Sequence, residues 1–254
     1  MRDGGSPVCE VPMRIPTLTF ALYLSFAGLA HATPPQTVEV RETLLGLNNT
    51  HMFVLRTLDD NMGLYTMRQT DVVLIARNRA TNHDDQIWPV LRVKDLGPEV
   101  VETAELSRLE TLPLPNRINP FDILLWRKAR PLLGDRIRTA DDLGIDQIWD
   151  ASGLSVTVDN GGTTHGLQND DIANLFKTSL NRTRKVLPPF FTEGGDMLAD
   201  VEFSPETDCT SDGYTSLFEA GGENQKETWI ARISCENDIT MPKIEMFLVI
   251  PPTD

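Results

Sequence analysis

Residues 14–32 constrain this chain more than any other stretch. Arg14 supplies a cationic start, residues 18–29 an apolar core, and Ala30, His31 and Ala32 a small-x-small site. That order predicts a secretory leader cleaved after Ala32, with Met13 its natural start and residues 1–12 an upstream extension. The rival reading is a membrane anchor, which needs roughly 20 predominantly apolar residues. The core here is shorter, carries Ser25 and Gly28, and runs into Thr33, Pro34 and Pro35. Cys9 lies ahead of the core, so it is not placed for lipid modification behind a cleavage site. The expectation is a periplasmic or secreted protein with no stable membrane insertion after cleavage.

Export gives meaning to the charge and the cysteines. The formal net charge is −14, and the leader's Arg2 and Arg14 cancel Asp3 and Glu10, so the excess belongs to residues 33–254. Such an excess argues against DNA, RNA or anionic lipid as the main partner. Apolar residues make up 40% of the chain, enough for a folded core rather than disorder. Only Cys209 and Cys235 follow the leader. Two cysteines in an oxidising compartment predict one disulfide between them.

The pattern along the chain predicts an α+β fold in three parts: a β-rich unit at 33–112, a helical connector at 113–153 and an α+β unit at 154–254. Strands are expected at 37–45, 51–58, 72–76 and 86–93, the last at an edge because Pro89 has no donor for the ladder. Residues 99–110 lean to helix, since Pro98 suits a first turn. A helix follows Asn119, a capping residue, with Pro120 and Asp122 in its first turn and Phe121, Leu124 and Leu125 as its buried stripe. Thr139 and Asp142 form a capping box opening a helix that reaches about Trp149. Residues 154–159 alternate as a strand, turned at Asn160, Gly161 and Gly162. The longest helix spans 171–187, with Ile172, Leu175, Phe176, Ser179, Thr183 and Val186 on one face. Strands at 198–203, 214–218, 228–234 and 243–250 complete an antiparallel sheet that this helix covers.

Catalytic motifs are absent from the sequence. Ser152 lacks the glycine of a nucleophile elbow, and no glycine-rich loop cradles phosphate. His51, His83 and His165 have no mutual zinc spacing; His83 beside Asp84 and Asp85 reads as a polar turn, and His165 as a loop residue. Asp208, Thr210 and Asp212 fall at alternating positions, with Gly213 behind them and Ser216 and Glu219 further on. This spacing resembles the twelve-residue calcium loop of the EF-hand family, which implies calcium held by Asp208, Thr210, Asp212, Ser216 and Glu219. Thr215 replaces the apolar residue usual there, Pro205 and the pair Gly221 and Gly222 break the flanking helices, and Cys209 ties the loop elsewhere.

Two basic clusters interrupt the acidity: Arg127, Lys128 and Arg130 with Arg136 and Arg138, and Arg182, Arg184 and Lys185. Both sit near helix C-termini, where cations offset the dipole, and both offer an anion or an acidic partner a place to bind. Asn48 and Asn181 head glycosylation sequons, meaningful only in a eukaryotic secretory pathway. The sequence thus predicts an exported binding or envelope-associated accessory protein acting on an unidentified protein or small ligand, with calcium as the one cofactor suggested. The rival classes are a calcium-binding module and a secreted hydrolase using a carboxylate pair, which needs no fixed spacing.

Overall fold

The computed structural model describes residues 36–61, 68–101, 104–132, 137–158, 163–187, 204–218, 227–236 and 242–253. The leader, the turn at Asn160, the strand expected at 198–203, Arg136 and Glu219 lie outside them. Apolar residues at period two build β1 (Val38–Leu47), β2 (His51–Asp60) and β3 (Arg68–Asn78), each antiparallel to the next. β4 (Asp84–Val101) and β5 (Ala104–Thr111) continue the meander. From the other end of the chain come β10 (Cys209–Phe218), β11 (Glu227–Cys235) and β12 (Lys243–Ile250), also antiparallel. β12 pairs with β1 in parallel, so the two sets of strands form one sheet in the order β10-β11-β12-β1-β2-β3-β4-β5. Residues 34–254 accordingly form one compact unit.

The expectations for β4 and β5 need correction. The lean to helix at 99–110 fails: Val100 pairs with Glu105 and Val101 with Ala104 in a hairpin, and Pro98 sits beside a register shift rather than at a helix start. Pro89 lies in an interior strand, yet it does so at a bulge opposite Val73 and before β5 begins to pair at Val93. Its carbonyl accepts from the Ile118 N–H at 3.1 Å, and its missing donor costs no ladder bond.

One face of the sheet holds the main core. It packs against helix α3 (Asn169–Val186) and against a three-stranded sheet of β7 (Ile145–Asp150), β8 (Gly153–Val158) and β9 (Thr164–Gln168). The helix buries Ile172, Leu175, Phe176, Ser179, Leu180 and Thr183, close to the stripe its spacing predicts. The capping box of Thr139 and Asp142 is present, but the helix it opens, α2 (Ala140–Leu143), stops after one turn. Gly144 takes a left-handed φ of 62° and turns the chain into β7 instead. His165 lies in β9, buried, its Nδ1 3.2 Å from the Ile250 carbonyl oxygen, so it is not a loop residue.

The other face is covered more lightly. Phe53, Leu74 and Ala76 from β2 and β3 cluster there with Leu124 of helix α1 (Pro120–Trp126). Asn119 caps α1 by accepting from the Phe121 N–H at 3.1 Å. Beyond α1 the short strand β6 (Arg130–Pro131) adds to β1 at Gly46 and Leu47. A Cβ on Gly46 would stand 2.9 Å from the Arg130 carbonyl oxygen, so only glycine lets this segment approach. At the opposite edge, Cys209 and Cys235 face each other across β10 and β11, joined by the expected disulfide. Cys235 shares its inward face with the buried Trp229, Ala231 and Ile233.

Candidate functional site

Two regions depart from the ordinary rule that apolar groups go inside and charges outside. The first is a buried quartet. Glu42, Arg56, Arg77 and Asp84 come from four adjacent strands, β1 to β4, and the side chain of each is 0% exposed. Glu42 Oε1 accepts from Arg56 Nη2 at 2.6 Å and from Arg77 Nη2 at 2.8 Å. Arg77 Nε donates to Asp84 Oδ1 at 2.6 Å. Helix α3 closes the network: Arg56 donates to Ser179 Oγ at 2.5 Å and to Thr183 Oγ1 at 2.6 Å, and Ser179 donates to Asp84. Two cations meet two anions, which is the condition under which buried charge is tolerable.

The sheet explains why these charges are inside. β1 and β12 pair only at Glu39 and Val40, opposite Lys243 and Ile244, and β1 then passes to β6. Further along β12, side chains take the place of the missing strand. The Phe247 N–H donates to Glu42 Oε2 at 2.9 Å, and its carbonyl accepts from Arg77 Nη1 at 2.6 Å. The Val249 N–H donates to Asn82 Oδ1 at 2.7 Å, and its carbonyl accepts from Asn82 Nδ2 at 2.8 Å. Buried backbone groups must be paired, and here the partners are side chains. Burial pushes the Asp84 carboxyl up, but Arg77, Arg56 and the Ser179 hydroxyl outweigh it and hold it below the usual range. Burial likewise opposes the charge on Arg77, and Asp84 and Glu42 more than offset it, so its pKa is raised. Charged, saturated and sealed from water, the quartet holds α3 and β12 to the sheet.

Residues singled out by the sequence are dispersed. Thr210, Asp212 and Ser216 lie along β10, and at ~3.3 Å per residue Thr210 and Ser216 are about 20 Å apart. Ligands of one calcium ion sit within roughly 5 Å of one another. Asp212 instead takes a two-pronged contact from Arg232, at 2.7 and 3.0 Å, and Asp208 accepts from the Ser204 N–H. Among the described residues no group of three or more His, Cys, Asp or Glu converges on one point. His83 stays in its exposed turn while Asp84 points into the core and Asp85 toward His51.

His51 does stand in a row the sequence reading missed. Thr50 Oγ1 is 2.8 Å from its Nδ1, and Asp85 Oδ2 is 2.9 Å from its Nε2. Burial nudges Asp85 upward, and hydrogen bonds from Asn78 and His51 bring it below its ordinary value. A hydroxyl, an imidazole and a carboxylate in line suggest acyl transfer, which also needs oxyanion donors. The Thr50 and His51 N–H groups are both spent on Asn48 Oδ1, at 3.0 and 2.7 Å. Asn48 in turn donates to the Arg127 carbonyl at 3.1 Å, so its sequon amide is tied to α1.

The second region is α1 itself. Its expected buried stripe is corrected by the structure: Leu124 is buried, while Phe121 is 71% exposed, Leu125 81% and Trp126 69%. One seven-residue helix on a flat sheet face can bury one side only, and Leu124 occupies it. Cations flank the apolar group along the chain. Arg117, Lys128 and Arg130 are exposed, and the Arg127 guanidinium lies 4.5 Å from the centre of the Trp126 ring and 5.9 Å from that of Trp88. Asp122 is the acidic residue of the helix. Sequence periodicity marks Phe121 and Leu125 as core, because it says where a face is and not what covers it.

Among the described residues no helix is long and apolar enough to cross a membrane. Comparison with protein-family models, with curated proteins and with solved structures finds no match for this chain.

Proposed function

We propose that this is an exported, soluble, envelope-associated binding protein that meets its partner through the exposed face of α1. The observation that carries this reading is the set Phe121, Leu125 and Trp126, each more than two-thirds exposed on one short helix. Apolar patches of this kind mark interaction sites, and Trp and Arg are the residues that dominate binding energy. The disulfide fits folding in an oxidising compartment. The helix is held rigidly for such a role: Leu124 anchors it below, Asn48 holds the Arg127 carbonyl, and β6 fastens the segment behind it to β1.

A photo-crosslinking residue placed at Leu125 of the chain in cells that export it tests the reading. Lys185, exposed on α3 across the sheet, is the control position. Discrete protein or lipid adducts at 125 and none at 185 support it. Equal labelling at both, or none at 125, refutes it.

A further inference from the structure

Resting on that reading, we infer that the partner of the α1 face is an anionic lipid surface, which Phe121, Leu125 and Trp126 enter to headgroup depth while Arg117, Lys128 and Arg130 pair with phosphates. Three observations carry this. First, the three apolar groups lie on one short helix, each more than two-thirds exposed. Their exposed area is about 450 Å², taking ~150–250 Å² for each large side chain. A stable protein interface takes about 800 Å² per partner with matched shape, of which these three side chains would supply about half, whereas a fluid interface imposes no matching shape. Second, the chemistry is that of a membrane-interface anchor: an indole and two apolar side chains in a stretch, residues 117–130, that carries Arg117, Arg127, Lys128 and Arg130 against Asp122. Third, the cations are local. The chain as a whole carries −14, which predicts repulsion from anionic lipid. At physiological salt, exposed charges more than about 8 Å apart are largely screened. The surface a membrane feels is therefore the one facing it, and the α1 segment, residues 117–130, carries four cations against one anion.

The test uses residues 33–254, since residues 34–254 form a unit of their own. It is sedimented with vesicles of phosphatidylcholine alone and with vesicles containing about one-third phosphatidylglycerol, at about 0.15 M salt. The expected result is binding to the anionic vesicles with a blue shift in tryptophan emission that Trp126→Phe removes. Lys128→Glu with Arg130→Glu, and separately Phe121→Ser with Leu125→Ser and Trp126→Ser, should each weaken binding at least about tenfold. Circular dichroism checks that both variants remain folded. Absence of binding to anionic vesicles, or binding that both variants retain, overturns the inference. If the chain then still forms discrete protein adducts from position 125, the lipid assignment falls while the binding reading stands.

Discussion

The quartet beneath α3 and the outer face of α1 invert the usual distribution of side chains in opposite ways. Inside, four ionised groups at 0% exposure have every partner supplied by the chain itself. Outside, three large apolar groups about 70–80% exposed stay uncovered by the chain, apart from the Arg127 guanidinium over the Trp126 ring. A saturated network has nothing left to offer a substrate, and its depressed Asp84 is the wrong way round for a general acid near neutrality. An uncovered apolar face has all its binding capacity unspent. Buried charge here is architecture, and the exposed apolar surface is the one we propose for an external partner.

The sharpest way to break this division is to strip one charge from the quartet. Glu42→Ala leaves two guanidinium groups to share the single carboxylate of Asp84 and strands the Phe247 N–H in the core, and denaturant unfolding should show a loss of about 3–5 kcal/mol. The network also carries a pH signature. The pKa of Asp84 is lowered on folding, so its contribution is complete above the unfolded value near 3.9. It disappears as pH falls from there through the lower folded value. Asp84→Asn should flatten that acid limb of the stability profile.

The disulfide comes next in size. Replacing Cys209 and Cys235 by Ser frees the β10 edge, and the melting curve should reflect a loss of about 3 kcal/mol. Thiol titration of the unfolded, unreduced chain should find no free thiol at either position. Within α1, Leu124→Ala should cost about 2–4 kcal/mol, because it opens the second core cluster. The contrast with its neighbour Leu125, one position along and on the exposed side, is the finest test of the comparison.

How much of this was legible in the sequence depended on whether neighbours or distant strands decided the outcome. The long helix, most strand positions, the Asn119 and Thr139 caps and the disulfide follow from local spacing, and all are present. Arg56 and Arg77 gave no signal because each reads as a polar interruption in an apolar strand. Only the parting of β1 from β12 makes a buried cation useful there. Four strands, β5, β6, β7 and β9, were missed for the same reason, since pairing partners override weak local preference. At α1 the periodicity was correct and its interpretation was not. Of Phe121, Leu124 and Leu125, only Leu124 turns to the sheet, where Ile123 packs beside it.

The division between an architectural interior and an outward-facing α1 is tested most directly by the denaturation midpoint of the Phe121→Ser, Leu125→Ser, Trp126→Ser variant. If these side chains serve only what lies outside the molecule, stability should stay within about 0.5 kcal/mol of the parent. A loss of more than about 1 kcal/mol would contradict the account, because it would show that the three residues pack within the fold and are not free to meet a partner.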